Sequence, residues 1–341
     1  MKTKIKPSTK TRVTITTVAA DAGVSVAAVS KVLRNAYGVS ELLRVKVQAS
    51  IDKLNYRPSM AARGMRGQIF TVGVLLVEIA NPFLPQIIDG AREVFADASY
   101  QTLLGVGESK STLEASMIES MIDHGMDGLI LVAPQMQGDQ LAHYAHQIPM
   151  VVIGHHEATA TAFDTVNSDD QEGAGIAIRF FVQKNFTDIA MLSLTLDDPH
   201  LANVVSQREI GYRKAMHRAK LDQNIRIIKL AFDAEKRPAE IHSLLRTLDQ
   251  PRAIFCWSDI DAIHVLDSAK RLGIKVPEEL ALIGYDNSSP AALASIALSS
   301  IEQSGKRLGA LAAEILLSRI GGRSIASHLL IEPSLICRQT D

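Results

Sequence analysis

Several polar and aromatic residues stand at, or shortly after, the ends of apolar segments, where a protein built from buried strands exposes its chemistry. They are Phe83, Arg208, Ser258, Asp259 and Asp286. The Arg208 guanidinium could form a fork of hydrogen bonds to a diol, carboxylate or phosphate. Asp286 follows the apolar segment 280–284 and could accept from hydroxyl groups, while Phe83 offers an apolar face to a sugar ring or a base. The pattern predicts a binding site for a small molecule.

Each of these residues also has an ordinary structural role. Phe83 could belong to a core, Arg208 to the surface, and Asp286 could cap a helix, as could Asp259. The run His155-His156-Glu157 contains metal-binding residue types, but adjacent residues rarely point at one ion without a further ligand. We therefore predict neither a metal nor a cofactor.

Catalytic motifs are missing from the sequence. It contains no Gly-x-Ser-x-Gly, no P-loop, no dinucleotide fingerprint and no convincing catalytic pair. We therefore expect binding and not catalysis, so the chain is predicted not to be an enzyme.

From Thr71 onward, short apolar segments alternate with amphipathic helical patterns. Predicted strands cover 71–77, 101–105, 128–132, 149–153, 188–193, 226–230, 253–257 and 280–284, and predicted helices cover 84–98, 112–124, 170–184, 206–219, 236–247 and 260–272. Nearly continuous apolar strands alternating with helices are typical of parallel sheets covered on both faces. These strands exceed one comfortable sheet, so the pattern favours an α/β body of two doubly wound lobes. Ligands bind such sheets at the carboxyl ends of their strands.

The charge of the chain is divided unequally. Residues 1–66 contain 13 Lys or Arg and three acids, whereas the remainder contains 23 basic and 34 acidic residues. A basic N-terminal segment on an acidic body indicates that only this segment meets a polyanion. A solvated basic tail on an ordinary enzyme is the simpler alternative.

The same basic segment carries the spacing of a helix-turn-helix. Ala19 is small enough for a second helix to cross above it, Gly23 can end the first helix, and Val29 follows six residues later. Ser25 is a good N-cap for the second helix, and a third helix is predicted at about 41–54 with Ser40 as its N-cap. A generic helical hairpin shows similar patterns without binding DNA.

Together these motifs resemble the lactose-repressor (LacI) family of bacterial regulators. The resemblance covers Val18-Ala19, Ala22-Gly23-Val24-Ser25, Val29-Ser30-Lys31-Val32-Leu33, Val39-Ser40 and Leu54-Asn55-Tyr56-Arg57-Pro58. It implies a small all-α head in which the helix beginning near Ser25 enters the major groove of DNA.

The resemblance also implies roles for individual residues of the head. Val26 and Ala27 would face base edges with Ser30 and Lys31 nearby, and Thr14, Ser25 and Arg34 would contact phosphates. Residues 59–66 resemble the hinge helix of the family, in which Met65 would insert as a wedge into the minor groove. The chain departs from the family where Lys31 replaces the usual Arg and Ala28 the usual Thr.

The body resembles the family as well. Its landmarks are Asn81-Pro82-Phe83, Asp127-Gly128-Leu129-Ile130, Arg208-Glu209-Ile210-Gly211-Tyr212, Ser258-Asp259, Val276-Pro277, Ile283-Gly284-Tyr285-Asp286-Asn287 and Ile301-Glu302-Gln303. They imply a periplasmic-binding-protein-like body with three crossovers between two lobes. An effector would lie in the cleft against Phe83, Arg208, Ser258, Asp259, Asp286 and Gln303. The cleft departs from sugar-binding members at Gly154 and Ser258, where Asp and Asn are frequent.

The predicted domains follow from these matches. Residues 1–57 form an arm and the helix-turn-helix domain, residues 58–69 a hinge and linker, and residues 70–341 the effector-binding and dimerisation core. Lobe 1 is predicted to comprise about 70–164 and 303–330, and lobe 2 about 165–300 and 331–341.

The sequence thus predicts a transcription repressor that binds pseudo-palindromic operator DNA as a homodimer and is controlled by a sugar or sugar derivative, with a nucleobase as the less favoured effector. A solute-binding protein of a transporter, or an enzyme carrying a DNA-binding head, is the competing interpretation. A cytoplasmic location is expected, because there are only two cysteines, no secretory signal and no apolar run of the roughly 20 residues that cross a bilayer.

Overall fold

The computed structural model describes residues 13–33, 36–57, 68–196, 202–247 and 252–341. They form two compact units that divide between Ile69 and Phe70. The predicted DNA contacts Arg34 and Met65 lie outside the described residues.

The first unit is a three-helix domain whose helix ends follow from local chemistry. Its helices are α1 (Ile15–Asp21), α2 (Val26–Leu33) and α3 (Glu41–Leu54). Gly23 has a φ of +56°, which glycine adopts without a Cβ clash, and it turns the chain so that α1 and α2 are bent by 107°. Ser25 accepts from the Ala28 N–H at 3.2 Å, and Ser40 accepts from the Leu43 N–H at 3.3 Å. These caps agree with the predicted helix-turn-helix.

The core of this unit is small and apolar. Val18, Val29 and Val47, one from each helix, are fully buried, and Ala19 lies beside them at the crossing of α1 and α2. Because α2 packs through Val29 and Val32, its opposite face is left to solvent.

The second unit contains two six-stranded sheets. The strands are β1 (Thr71–Leu76), β2 (Gln101–Val106), β3 (Gly128–Val132), β4 (Met150–Ile153), β5 (Asp164–Ser168), β6 (Ile189–Leu194), β7 (Arg226–Leu230), β8 (Ala253–Cys256), β9 (Ala281–Tyr285), β10 (Ser299–Glu302), β11 (His328–Ile331) and β12 (Ser334–Ile336). The first sheet has the order β11-β5-β4-β3-β1-β2 and is parallel throughout. The second has the order β12-β10-β9-β8-β6-β7, in which only β12 is antiparallel.

Helices cover both faces of each sheet. They are α4 (Leu84–Asp97), α5 (Ser111–Asp123), α6 (Gly138–Ala145), α7 (Asp170–Gln183), α8 (Val204–Arg218), α9 (Arg237–Thr247), α10 (Asp259–Leu272) and α11 (Gly305–Ile320). Four apolar clusters fill the spaces between sheets and helices, two in each lobe. The two-lobed α/β architecture predicted from alternating apolar segments is therefore confirmed.

The chain passes between the sheets three times, after β5, after β10 and after β11. The first passage follows Ser168, four residues beyond the predicted lobe boundary at 164. The reason is that β5 pairs with β4 and β11 and so belongs to the first sheet. Four strands escaped prediction, namely β5, β10, β11 and β12, as did helices α6 and α11.

No single helix in the described ranges is both long and apolar enough to cross a membrane. Helices α1 and α2 meet that criterion only when taken together across their 107° bend.

Glycines allow α4 and α11 to pack with their backbones in contact. A Cβ at Gly309 would lie 1.9 Å from the carbonyl oxygen of Ile87, and a Cβ at Gly90 would lie 1.9 Å from that of Lys306. A side chain at either position would push the helices apart, because the obstructing atoms belong to backbone.

We expect Gly309→Ala to lower the free energy of unfolding of the second unit by about 1–3 kcal/mol, the usual cost of overpacking a core. The measurement is the denaturant midpoint of unfolding. Gly321→Ala is the matched control, since a Cβ there would meet its nearest atoms at an ordinary 3.4 Å. Equal midpoints for the two variants would contradict the close packing of α4 and α11.

Candidate functional site

A cavity of about 430 Å³ lies between the two lobes of the second unit. Its walls include the segments that follow β1, β3, β4 and β9, at the carboxyl ends of the strands. Helix α8 from the second lobe, the crossover after β10, the segment after β2 and the start of α9 also line it.

Arg208 is the central cation of this cavity. Its Nε donates to Asp170 Oδ1 at 2.7 Å, its Nη1 donates to the Trp257 carbonyl, and its Nη1 lies 3.9 Å from Asp286 Oδ1. The guanidinium carbon stands 3.6 Å from the centre of the Tyr285 ring, a cation–π arrangement. Arg208 is only 3% exposed, so these contacts fix its direction.

Asp170 begins α7 immediately after the first crossover, and it is buried. Its second oxygen, Oδ2, lies 2.8 Å from Nε2 of His156. Burial by itself raises the pKa of Asp170, but Arg208 and His156 outweigh that effect and hold the pKa below its usual value. Asp170 is therefore the ionised partner of Arg208.

Asp286 stands at the mouth of β9 with a φ of 112°, a backbone conformation that side chains rarely adopt. Gln303 donates to its Oδ1 at 2.5 Å and Asn81 to its Oδ2 at 3.4 Å. Burial raises the pKa of Asp286 to about 8, against the lowering effect of Arg208. Its carboxyl group is thus held largely in the neutral form near pH 7 and can donate as well as accept.

Phe83 and Gln303 line the same cavity as Arg208 and Asp286. Phe83 stands just before α4 and is nearly buried, so only part of its ring can meet a ligand. The structure thus brings together Phe83, Arg208, Asp286 and Gln303, four of the six residues predicted to bind the effector.

The other two predicted contacts, Ser258 and Asp259, do not line the cavity. Ser258 is the N-cap of α10, where its side chain accepts from the Asp261 N–H. Asp259 is fully buried and accepts from the N–H and hydroxyl of Ser288, at 2.7 and 2.8 Å, and from the Ser300 hydroxyl at 2.6 Å. The structure therefore does not bring this pair to the cavity: Ser258 caps its own helix, and Asp259 ties the start of α10 to Ser288 and Ser300.

Sequence reasoning missed a second buried pair in the cavity wall. Arg237, at the start of α9, donates to Asp261 Oδ2 at 2.8 Å, and the Trp257 indole donates to the same oxygen at 2.5 Å. Glu78, after β1, lies close enough that Arg237 lowers its pKa, although burial raises it further. The one sequence signal was Trp257, an aromatic residue at the end of a predicted strand.

A loop of the first lobe also reaches the second lobe beside the cavity. Gly154 has a φ of 76°, and both its N–H and that of His155 donate to Oδ1 of Asn167 in β5. The next residue, His156, donates its N–H to the Ala202 carbonyl at 2.7 Å. The His155-His156-Glu157 run therefore links the lobes. Among the described residues, no three His, Cys, Asp or Glu side chains are grouped as they would be around a metal ion.

The outer face of α2 is the candidate DNA-binding surface of the first unit. Val26, Ala27 and Lys31 are exposed on it, and Thr14 and Ser25 are exposed at the amino ends of α1 and α2. Ser30 differs from Val26, Ala27 and Lys31 because it is only 4% exposed. Of the residues predicted at or near the base edges on α2, Ser30 is thus the buried one.

Asp286 gives the second unit a pH dependence that can be tested. The folded protein retains the Asp286 proton up to about pH 8, whereas the unfolded chain releases it near the usual pKa of 3.8. The folded state therefore loses stability as the pH rises toward 8. Asp286→Asn cannot release this proton, so we expect its melting temperature to fall less than that of the wild type over the neutral and weakly alkaline range. Glu114 and His155 also have shifted pKa values, but they are common to both proteins and cancel. Asp259 interacts with Asp286, and burial raises its pKa to about 6, so the two melting curves are compared above pH 7, where Asp259 is mostly ionised. Parallel curves would contradict the neutral state of Asp286.

Comparisons with known proteins agree with both units. Residues 14–59 match the family model for bacterial regulatory proteins of the lacI family, and residues 178–340 match the model for a periplasmic binding protein-like domain.

Among curated relatives, the chain is 29% identical over 332 residues to the HTH-type transcriptional repressor PurR of Photobacterium profundum, covering 96% of this chain and 98% of the relative. PurR of Photorhabdus laumondii subsp. laumondii is also 29% identical, with 96% of each chain covered.

Solved structures share the fold. A lac repressor dimer bound to operator and the anti-inducer ONPF aligns with a TM-score of 0.83 at 20% identity, over 97% of this chain and 99% of that one. A complex of the transcriptional regulator CelR with cellobiose aligns with a TM-score of 0.70 at 24% identity, over 97% and 100%. The chain therefore combines a helix-turn-helix domain of the lacI family of bacterial regulatory proteins with a periplasmic-binding-protein-like domain.

Proposed function

We propose that this protein is a transcription repressor that binds a pseudo-palindromic operator as a homodimer, and that a sugar or sugar derivative bound between its lobes controls that binding. The observation that carries the proposal is the cavity between two lobes, with Arg208 and Asp286 at its centre, in a chain whose N-terminal unit folds as a helix-turn-helix. A DNA-binding repressor works where the DNA is, so we place it in the cytoplasm.

The composition of the cavity wall supports a carbohydrate. Asp286, Asn81 and Gln303 form a cluster of carboxyl and amide groups that can exchange hydrogen bonds with several hydroxyls. Phe83 and Trp257 supply aromatic surface on which the C–H face of a sugar ring can pack. Structural neighbours hold cellobiose and D-xylulofuranose. The aromatic lining also fits a flat heterocycle, so a nucleobase is the second candidate.

Polar contacts between the lobes support a control mechanism. Asn81 of the first lobe bonds Asp286 of the second, and both line the cavity. A ligand that contacts either residue changes the relative stability of lobe arrangements, and differential affinity for two arrangements is what couples two sites. In a dimer this would change the separation of the two DNA-binding heads.

The edge of the first sheet supports a dimer formed through the body. Edge strand β2 leaves Leu103 and Leu104 42% and 54% exposed. Exposed apolar side chains on an edge strand favour association unless they are covered. A second copy of the chain is the occupant that a two-fold operator requires.

Deleting residues 1–66 should abolish operator binding while effector binding is retained, because the second unit has its own apolar cores. Mobility shift on operator fragments measures the first property, and calorimetry with the effector found by screening measures the second. Retardation of the operator by the truncated protein would contradict this division of labour.

Asp286→Ala should weaken effector binding by about 10- to 100-fold, the cost of losing hydrogen bonds of about 1.5–3 kcal/mol in a buried site. Without effector, the variant should bind operator DNA with the same affinity as the wild type. Asp267→Ala is the control, since Asp267 forms only an exposed i,i+4 ion pair with Arg271 on α10. Unchanged calorimetric affinity in Asp286→Ala would remove Asp286 from the site.

A further inference from the structure

Every basic side chain that lines the cavity, within the ranges the structure describes, already has a carboxylate partner. Arg208 is paired with Asp170 at 2.7 Å, and the two side chains are 3% and 1% exposed. At 3.9 Å from Asp286 it is also near a second carboxyl group. Its remaining N–H donors can bond a ligand oxygen, but its charge is compensated inside the protein.

Arg237 is paired in the same way. Its partner Asp261 is fully buried, with Oδ2 2.8 Å from Nη1 of Arg237. The charge of Arg237 also lowers the pKa of Glu78 in the first lobe. A buried ion pair of this kind resists opening, because removing one partner leaves the other charge unpaired in a medium of low dielectric constant.

Lys110 is the third base of the wall. Its Nζ lies 3.2 Å from Oε2 of Glu108, and both side chains are more than half exposed. An exposed lysine in water and salt contributes little attraction to a ligand. Besides Asp286, the described part of the wall therefore has four acids, Glu78, Glu108, Asp170 and Asp233, against three bases.

We infer that the effector carries no phosphate or carboxylate group and is a neutral polyhydroxyl or heterocyclic compound whose polar edge meets Arg208, Asp286 and Gln303. This deepens the proposed function and rests on it, since it concerns the ligand of the same cavity. An anion would meet Arg208 and Arg237 as ion pairs already neutralised by Asp170 and Asp261, so no uncompensated positive charge would offset the cost of removing the anion from water.

A neutral ligand avoids this cost. It can accept from the remaining N–H groups of Arg208 and can both donate to and accept from the Asp286 carboxyl group, which burial keeps largely protonated near pH 7 by raising its pKa to about 8. The neutral hydroxyl or ring group thus finds donors and acceptors without displacing an ion pair.

The first test titrates the full-length protein with inorganic phosphate, at constant ionic strength with chloride as the control, and follows calorimetric heat and thermal shift. We expect no saturable binding in the cavity. Saturable binding that Arg208→Gln or Arg237→Gln abolishes would overturn the inference. Binding that neither substitution changes lies elsewhere on the chain and agrees with it.

The second test compares matched ligands. A hexose is set beside its 6-phosphate and its uronic acid, and a nucleoside beside its monophosphate. The charged member of each pair should bind at least about 100-fold more weakly than the neutral one. If a neutral nucleoside binds more tightly than the hexose, the proposal of a sugar effector is refuted, but the inference that the effector is uncharged is supported. A preferred hexose phosphate or hexuronate would overturn the charge inference and leave the sugar proposal standing.

A third variant tests the cause. Asp261→Asn leaves Arg237 without its compensating charge, so the variant should gain phosphate binding that the wild type lacks. Circular dichroism and a cooperative melt establish that the variant is folded. A folded Asp261→Asn protein without phosphate affinity would refute compensation by Asp261, and the wild-type titration decides the inference if the variant does not fold.

Discussion

The ion pair between Asp170 and Arg208 is the interaction on which the rest of the binding cavity depends. Removing two charges from water costs several kcal/mol per ion, and only good geometry with further hydrogen bonds repays it. That geometry is present, since Asp170 is also hydrogen-bonded to His156. Arg208 also donates to the Trp257 carbonyl and stacks against the Tyr285 ring. The pair fixes the position of the guanidinium, and because it uses the charge of Arg208 internally, it also determines which ligands the cavity can accept.

Asp170 lies where the chain first enters the second lobe, and through it the ion pair is bonded to the first lobe. His156 reaches it from the first lobe, and the same residue bonds the Ala202 carbonyl just before α8, the helix that carries Arg208. Asn81 and Asp286 form a separate contact between the lobes. Polar contacts around the cavity thus help to join the lobes. Hydrogen bonds of this kind can be exchanged for ligand contacts at small net cost, which is what a ligand-controlled rearrangement requires.

Much of this fold could be predicted from the sequence, because apolar runs mark strands that are buried on both faces and glycine or serine marks helix ends. The strands that escaped prediction are those in which pairing, not composition, decides burial. Strand β5 is fully buried although its sequence is Asp-Thr-Val-Asn-Ser. Its acid, Asp164, can be buried because it forms ion pairs with Arg319 and Arg323, which lie far away in the sequence. The site was predicted in part for a related reason. A strand end places a residue at the right edge of the sheet but does not give the direction of its side chain, so Ser258 and Asp259 were expected in the cavity although they face the neighbouring loops.

The division of charge along the chain constrains how the two activities can coexist. Residues 1–66 carry an excess of ten positive charges, and the rest of the chain an excess of eleven negative charges. Phosphate contacts supply the salt-dependent part of DNA affinity, so that part must come from the N-terminal segment, while the acidic body is repelled by DNA. Base recognition is limited by the small number of polar side chains on α2. Ser30 is buried and Val26 and Ala27 are apolar, so Lys31 is the polar side chain that the outer face of α2 exposes. Such a face favours contacts with thymine methyl groups and recognition of DNA shape.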